Sequence, residues 1–248
     1  MNSWLMLRHP ALGPAENMAW DEALLEAAPE PFALSHPKAH SPAPPMDPVK
    51  SRSGCPVLRV YSWSEPAATF GYFQKYFDVE SLTRLRPLIR RPTGGGLVPH
   101  DADWTYSIVM PPGHAWYSLR AIESYRRMHD WIRAAFAELD LSTQLSPVAI
   151  QGASAQCFIG ASECDVVLDG RKLAGAAQRR TKTGLLIQGS IQPPAGIQRS
   201  DWESAMLRVG TRDQGASWEN ANPGVSLQER VCHLAKSKYS QPAFNRRR

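Results

Sequence analysis

Two segments of this 248-residue chain concentrate side chains able to do chemistry. The first is Arg90-Arg91-Pro92-Thr93-Gly94-Gly95-Gly96-Leu97-Val98-Pro99-His100-Asp101. Three consecutive glycines remove every Cβ, so the backbone can come close to a ligand and offer N–H groups to a carbonyl or phosphate oxygen. Two arginines before the glycines and a His-Asp pair after them supply convergent polar groups, which favours a binding cleft over a plain turn. The second segment is Asp169-Gly170-Arg171-Lys172-Leu173-Ala174-Gly175-Ala176-Ala177-Gln178-Arg179-Arg180. Here Lys172 stands near Gly175, Ala176 and Ala177, small residues that leave room for a ligand, and its ammonium can polarise an acyl carbonyl. Taken alone, the same lysine would read as a solvated strand residue.

Neither segment is a standard nucleotide loop. G-x-x-x-x-G-K-[ST] is absent and no G-x-G-x-x-G opens a helix, so ordinary nucleotide hydrolases and dehydrogenases lose their main support. The four cysteines, Cys55, Cys157, Cys164 and Cys232, have irregular spacings without a C-x-x-C pair or a short Cys/His cluster. A disulfide scaffold and a metal site are therefore not expected. An unpaired cysteine is most often a small buried hydrophobe, so a nucleophile among them needs further support. The 28 basic and 23 acidic residues leave a net charge of +5, a mild excess that suits an acidic partner. Nucleic acid is not expected, because a basic stripe interleaved with aromatics is missing. No apolar run approaches the roughly 20 residues that cross a bilayer, and the first residues lack a signal-peptide layout, so a cytoplasmic location is expected with no membrane partner.

The elements that must hold these segments read as follows. Asn17 to Ala28 carries a capping Asn and strong helix formers. Between positions 29 and 56 eight prolines exclude regular hydrogen bonding, which predicts a surface insertion. Leu58 to Trp63 and Ala67 to Tyr72 read as strands joined by a hairpin or tight bend at Ser64-Glu65-Pro66. Trp104 to Met110 is a further strand ended by Pro111, Pro112 and Gly113. A helix capped by Ser118 follows, with Leu119, Ile122, Ile132, Phe136 and Leu139 on one side and Arg126, Arg127 and Arg133 mostly opposite. Asp169-Gly170 predicts a type I′ hairpin turn between Asp165 to Leu168 and Arg171 to Ala177, which places Lys172 at the start of a strand. Gly184 to Gln192 continues an antiparallel meander, and capping boxes at Ser200-x-x-Glu203 and Ser226-x-x-Glu229 open two helices. Strands mixed with segregated helices predict an α+β class, as a single domain over 1–234 followed by a basic, solvated tail over 235–248.

Several of these motifs occur together and in order. Asn17-Met18-Ala19-x-Asp21-Glu22-Ala23-Leu24, Trp63-Ser64-Glu65-Pro66-Ala67, Arg90-Arg91-Pro92-Thr93-Gly94-Gly95-Gly96, His100-Asp101, Gly170 to Gln178 and Gly189-Ser190-Ile191 resemble the biotin/lipoate A/B protein ligase family, in its lipoate-ligase and octanoyltransferase branch. The resemblance implies a mixed, largely antiparallel sheet flanked by helices, with the glycine loop and the lysine strand lining a tunnel for an eight-carbon chain. It implies that Arg91, Thr93, Gly94, Gly95, Gly96, Val98 and His100 bind the acyl donor beside Gly175 and Ala177, and that Lys172 contacts the reacting carbonyl. Biotin is the weaker ligand, because the Gly-Arg-rich loop ending in Trp of the biotin ligases is missing.

Two chemistries share such a fold. A lipoate-protein ligase uses ATP and Mg²⁺ to form an acyl-adenylate that an acceptor lysine attacks. An octanoyltransferase needs no nucleotide: it takes octanoate from acyl carrier protein onto a cysteine and passes it to a lipoyl domain or to glycine-cleavage H protein. Cys157, fifteen residues before Lys172, matches the nucleophile position of one class of octanoyltransferases, and a lysine beside a thiol would favour the thiolate. Gly96 completes a triple glycine commoner in the ligases, Gln188 stands where many members of both branches carry His, and Pro99 interrupts the usual residue before His100. A non-catalytic acyl-binding module is the third reading.

Overall fold

The computed structural model describes residues 2–28, 54–147 and 162–247. Cys157 and residues 29–53 of the proline-rich segment lie outside the described residues. The chain opens with strand β1 (Asn2–Leu12) and helix α1 (Pro14–Ala27), followed by β2 (Val57–Trp63), β3 (Ala67–Phe70), the short helix α2 (Tyr76–Glu80), β4 (Leu88–Arg90), β5 (Val98–His100) and β6 (Trp104–Met110). Helix α3 (Ala121–Ala137), strands β7 (Gln144–Leu145), β8 (Val166–Leu168), β9 (Arg171–Arg180) and β10 (Leu185–Ile191), helix α4 (Arg199–Gln214), β11 (Ala216–Asn220) and α5 (Val225–Leu234) complete the body.

The strands form one eight-stranded sheet in the order β11-β1-β2-β6-β10-β9-β8-β7 and a three-stranded sheet in the order β4-β3-β5. In the large sheet β1 runs parallel to β11 and β2, and every other pairing is antiparallel. The expected α+β domain with a mixed, largely antiparallel sheet is what the chain adopts. Both faces of the large sheet are covered. Alternate residues of β1 separate into two cores, Trp4 and Met6 toward α3 and α4, Leu5 and Leu7 toward α1 and α5. This double cover explains why β6 and β10 are buried at every position, since strands facing apolar layers on both sides lose the polar alternation of a half-exposed sheet.

Local expectations fare unevenly. Trp104–Met110 is a strand as read, and Asp169 and Gly170 take φ angles of 49° and 75° between the antiparallel strands β8 and β9, as a type I′ turn requires. Other readings change. Helix α1 starts at Pro14 with Gly13 as N-cap, so Asn17 is inside it, and its side-chain amide donates instead to the carbonyls of Leu12 and Ser62. Strands β2 and β3 form the expected tight bend at Ser64-Glu65 but no hairpin, because they belong to different sheets. Helix α3 starts after Arg120, whose backbone N–H donates to Glu123, and Ser118 ends a preceding 3₁₀ turn. The residues of the two expected capping boxes lie inside helices capped by Gln198 and Gly224.

The solvated C-terminal tail is also corrected. A π-helical turn at Ala235–Tyr239 and helix α6 (Pro242–Asn245) pack onto the body, with Tyr239 fully buried and its hydroxyl donating to Glu22 at 2.7 Å. Arg90 holds this segment down. Its buried guanidinium donates to the carbonyls of Asn245 and Arg247 at 3.1 and 2.6 Å and to those of Tyr72 and Gln74 at 2.8 and 2.6 Å. A fork of five N–H donors can tie several carbonyls at once, which an ammonium cannot.

Candidate active site

Where the two chemistry-bearing segments meet, a cavity open at its mouth, about 480 Å³ when the solvent space at its opening is counted, lies between the small sheet and the strands β9 and β10. Met18, Tyr61, Trp63 and Val98 give it apolar walls, and Gly175 to Ala177 form a side without bulk. Arg91, Gly95, His100 and Lys172 also line it. The structure therefore brings Arg91, Gly95, Val98, His100, Lys172, Gly175 and Ala177 around one space, with Thr93 one bond behind. Cys157 lies outside the described residues.

The glycine loop is held from within. The Arg91 guanidinium donates to the Gly94 carbonyl at 2.6 and 3.0 Å and to the Thr69 carbonyl at 3.2 Å, so this arginine shapes the loop that was expected to bind a donor. Gly95 takes a φ of 83°, a conformation open to glycine at no steric cost. Gly71 permits the loop to lie against β3, since a Cβ there would sit 1.9 Å from the Gly95 carbonyl oxygen. At Gly94 an added Cβ meets no atom of the described residues within 4 Å.

His100 is fixed on both edges. Asp103 accepts at Nδ1 (2.9 Å), Thr69 faces Nε2 (2.8 Å), and the ring stacks on Trp63 with centroids 3.9 Å apart. Burial opposes ionisation of Asp103, but the His100 charge and hydrogen bonds from His100, Ser190 and Thr105 together hold its carboxyl below the usual range. Held at both nitrogens and stacked on Trp63, the ring acts as a rigid wall.

Lys172 is not the solvated residue that a strand lysine suggests. Its side chain is 6% exposed, and Nζ lies 2.7 Å from the fully buried Asp165. Asp165 also accepts from the Tyr125 hydroxyl and from the Ser162 N–H at 2.6 Å. Gly175 makes this geometry possible, because a Cβ there would stand 2.5 Å from Lys172 Cε and 2.6 Å from Nζ. The amino group is thus buried against a carboxylate at the edge of the cavity, where a cation acts more strongly on nearby charge than it would in water.

Behind this pair, His129 hydrogen-bonds the Cys164 carbonyl through Nδ1 at 2.6 Å and packs edge-on against Tyr125. Burial lowers its pKa from 6.5 to about 4. A histidine kept neutral in the fold but free to protonate when unfolded makes stability fall as pH drops from about 6.5 toward 4. The shift corresponds to on the order of 3 kcal/mol. His129→Gln should flatten this part of a urea-denaturation profile across pH, and an unchanged slope would show that other groups set it.

A second network was missed in the sequence. Arg59 and Asp21, both fully buried, pair at 2.8 Å. Arg59 also donates to the Asn17 side chain (2.6 Å) and to His9 Nδ1 (2.8 Å), while Asp21 accepts from Tyr61 (3.0 Å), Ser107 (2.6 Å) and Gln188 (2.6 Å). Burial and the Arg59 charge push His9 down to about 3, in keeping with its acceptor role. Gln188 accepts from the Thr93 hydroxyl at 2.7 Å with its other end, so a neutral amide links the glycine loop to the ion pair as donor and acceptor together. The available sign was an arginine inside the apolar strand Val57–Trp63, which must find a partner if the strand is buried.

With this geometry in hand, the comparisons with known proteins define the class. Residues 13–192 match the family described as lipoyl protein ligase A/B catalytic domain, and the chain belongs to that family. Among its relatives is Octanoyltransferase LipM of Carboxydothermus hydrogenoformans, 32% identical over 196 residues, covering 77% of this chain and 65% of that protein. Octanoyltransferase LipM of an Exiguobacterium species is 32% identical over 239 residues, covering 92% of this chain and 78% of the relative. The chain thus spans about two thirds to three quarters of these relatives. The fold is shared with lipoate-protein ligase A bound with ATP, at a TM-score of 0.71, 17% identity and coverage of 99% and 98% of the two chains. It is also shared with a bi-partite lipoate protein ligase from Thermoplasma acidophilum, at a TM-score of 0.71 and 16% identity over 99% and 97%. No helix among the described residues is long and apolar enough to cross a membrane.

Proposed function

We propose that this protein transfers an octanoyl group from a carrier-protein thioester to a lysine of a lipoyl domain, through a thioester on Cys157. The observation that carries the reading is Lys172, a buried ammonium facing an apolar cavity whose other wall is a glycine loop. Relatives bearing the name octanoyltransferase support the same acyl group, and a ligase of the same fold described with its E2 lipoyl domain supports the acceptor. At about 0.8 kcal/mol per buried methylene, an eight-carbon chain entering the cavity gains on the order of 5 kcal/mol.

In the first half-reaction the Cys157 thiolate attacks the donor carbonyl carbon. A C–S bond forms, the tetrahedral oxyanion collapses, and the bond to the carrier sulfur breaks, with the departing thiolate taking up a proton. In the second, the acceptor lysine attacks as a free amine, the C–N bond forms, the bond to Cys157 breaks, and the amine's proton passes to the sulfur. Lys172 lies against the developing oxyanion in both. Donor and enzyme intermediate are both thioesters and the final amide is more stable, so no phosphoanhydride need be consumed.

The test offers a lipoyl domain either octanoyl-acyl carrier protein or free octanoate, each with and without ATP and Mg²⁺. The expected result is modification from the carrier without nucleotide, with an octanoyl adduct on Cys157 by mass spectrometry that Cys157→Ser abolishes. Modification only from octanoate with ATP, unaffected by Cys157→Ser, makes the protein a lipoate-protein ligase. Tight acyl binding without transfer under any condition makes it a non-catalytic module.

A further inference from the structure

Beside the cavity lies a cluster of aromatic and basic side chains that the reaction does not use. Phe73 and Phe77 are 75% and 70% exposed, far beyond what a large apolar side chain needs in a folded domain. Each rests edge-on against an inner tyrosine, Phe73 on Tyr72 and Phe77 on Tyr76, with centroids 5.2 and 5.8 Å apart. Exposed Lys75 stands between them. The folded C-terminal segment lays Arg247 over the Tyr72 ring at 4.5 Å and Arg246 over the Tyr76 ring at 5.1 Å, and Arg179 reaches Tyr72 at 5.2 Å.

No ion pair among the described residues engages these four cations. Asp78 is the exposed carboxylate on this stretch, while Glu80 accepts from Tyr76 and lies near Arg86. A hydrogen bond from Arg247, followed by the charges of Arg247, Arg179 and Lys238, holds the Tyr72 phenol below its usual pKa against the opposing effect of burial. The cluster adjoins the cavity. Tyr72 N–H donates to the Thr93 carbonyl at 2.8 Å and Arg179 to the Pro92 carbonyl at 3.2 Å. Arg179 also continues the face of β9 that carries Gly175 and Ala177, about 7 Å further along the strand.

We propose that this rim docks the acidic carrier protein that delivers the acyl chain, Phe73 and Phe77 entering its apolar centre while the exposed Lys75 and Arg246 meet its carboxylates and the phosphodiester of its acyl-bearing arm. The inference rests on the thioester reading above. Charge complementarity selects the donor over the acceptor: the donor sends an anionic arm past these residues, whereas the acceptor sends a cationic lysine.

The test is steady-state kinetics of the full chain with three variable substrates: octanoyl-acyl carrier protein, octanoyl-N-acetylcysteamine, which lacks both carrier and phosphate, and the lipoyl domain. Lys75→Glu/Arg246→Glu and Phe73→Ser/Phe77→Ser, all at exposed positions, should each raise KM for the carrier donor about tenfold. KM for the small thioester and for the lipoyl domain should hold within about twofold, which also shows that the variants are folded. An unchanged carrier KM in an active enzyme overturns the proposal alone, and so does a rise confined to the lipoyl domain, which would make the rim the acceptor's surface. A wild-type protein that uses only free octanoate with ATP overturns it together with the thioester reading.

Discussion

Lys172→Ala is expected to slow octanoyl transfer by about a hundred- to a thousandfold and, separately, to destabilise the fold by about 3–5 kcal/mol. The rate effect follows from removing the one ammonium that lines the cavity among the described residues, where the low dielectric makes a single charge count. The stability effect follows from what stays behind. Asp165 is fully buried, and without Lys172 its carboxylate keeps hydrogen bonds from Tyr125 and Ser162 but loses its counter-charge. The two effects separate in the double variant Lys172→Met/Asp165→Asn, which removes both charges and should recover most of the stability while transfer stays lost. Urea unfolding and single-turnover transfer measure the two quantities. A double variant that is as active as wild type would make the pair purely structural, and a single variant with unchanged unfolding would mean that Asp165 is not charged in the fold.

Arg59→Met is expected to cost a similar 3–5 kcal/mol, a large share of the roughly 5–15 kcal/mol that holds a domain together. The same logic as for Lys172 applies to the buried Arg59, which has more dependants. Its loss strands Asp21 in the core and leaves the Asn17 side-chain oxygen and His9 without their donor. Because Asp21 also anchors Gln188, and Gln188 anchors Thr93, disorder introduced here should reach the glycine loop. The expected signature is a lower urea midpoint together with a raised KM for the acyl donor. A variant that loses under 1 kcal/mol would show that water or rearranged neighbours satisfy Asp21, and that the network does not carry the loop.

Residues close in sequence settled a good part of this fold. The Asp169-Gly170 turn, the strand at Trp104–Met110 and the apolar stripe of α3 depend on contacts within a few positions, so their local pattern suffices. The ordered motifs from Asn17 to Ile191 identified the family, and the small residues among them, Gly175 and Ala177, line the cavity. The helix starts did not follow from local signals. Ser200 and Ser226 are competent caps, yet the chain enters both helices two residues earlier, with Gln198 and Gly224 at the N-caps.

Other decisions belong to the tertiary structure because they join residues far apart in the chain. Strand β1 carries no turn signal and becomes a strand by pairing on both edges, with β11 and β2. The C-terminal segment looked like a solvated basic tail from its composition, and Arg90, 155 positions away from Asn245, folds it onto the body. Lys172 was legible as a candidate from its small neighbours, but its burial came from Asp165 across the hairpin and from the space left by Gly175. Arg91 and His100 were legible as candidates too, and their hydrogen bonds make them framework of the loop and wall. A sequence fixes which groups can do chemistry, whereas the strength and direction of that chemistry come from which charges burial leaves facing each other, and that is set only when distant strands pair.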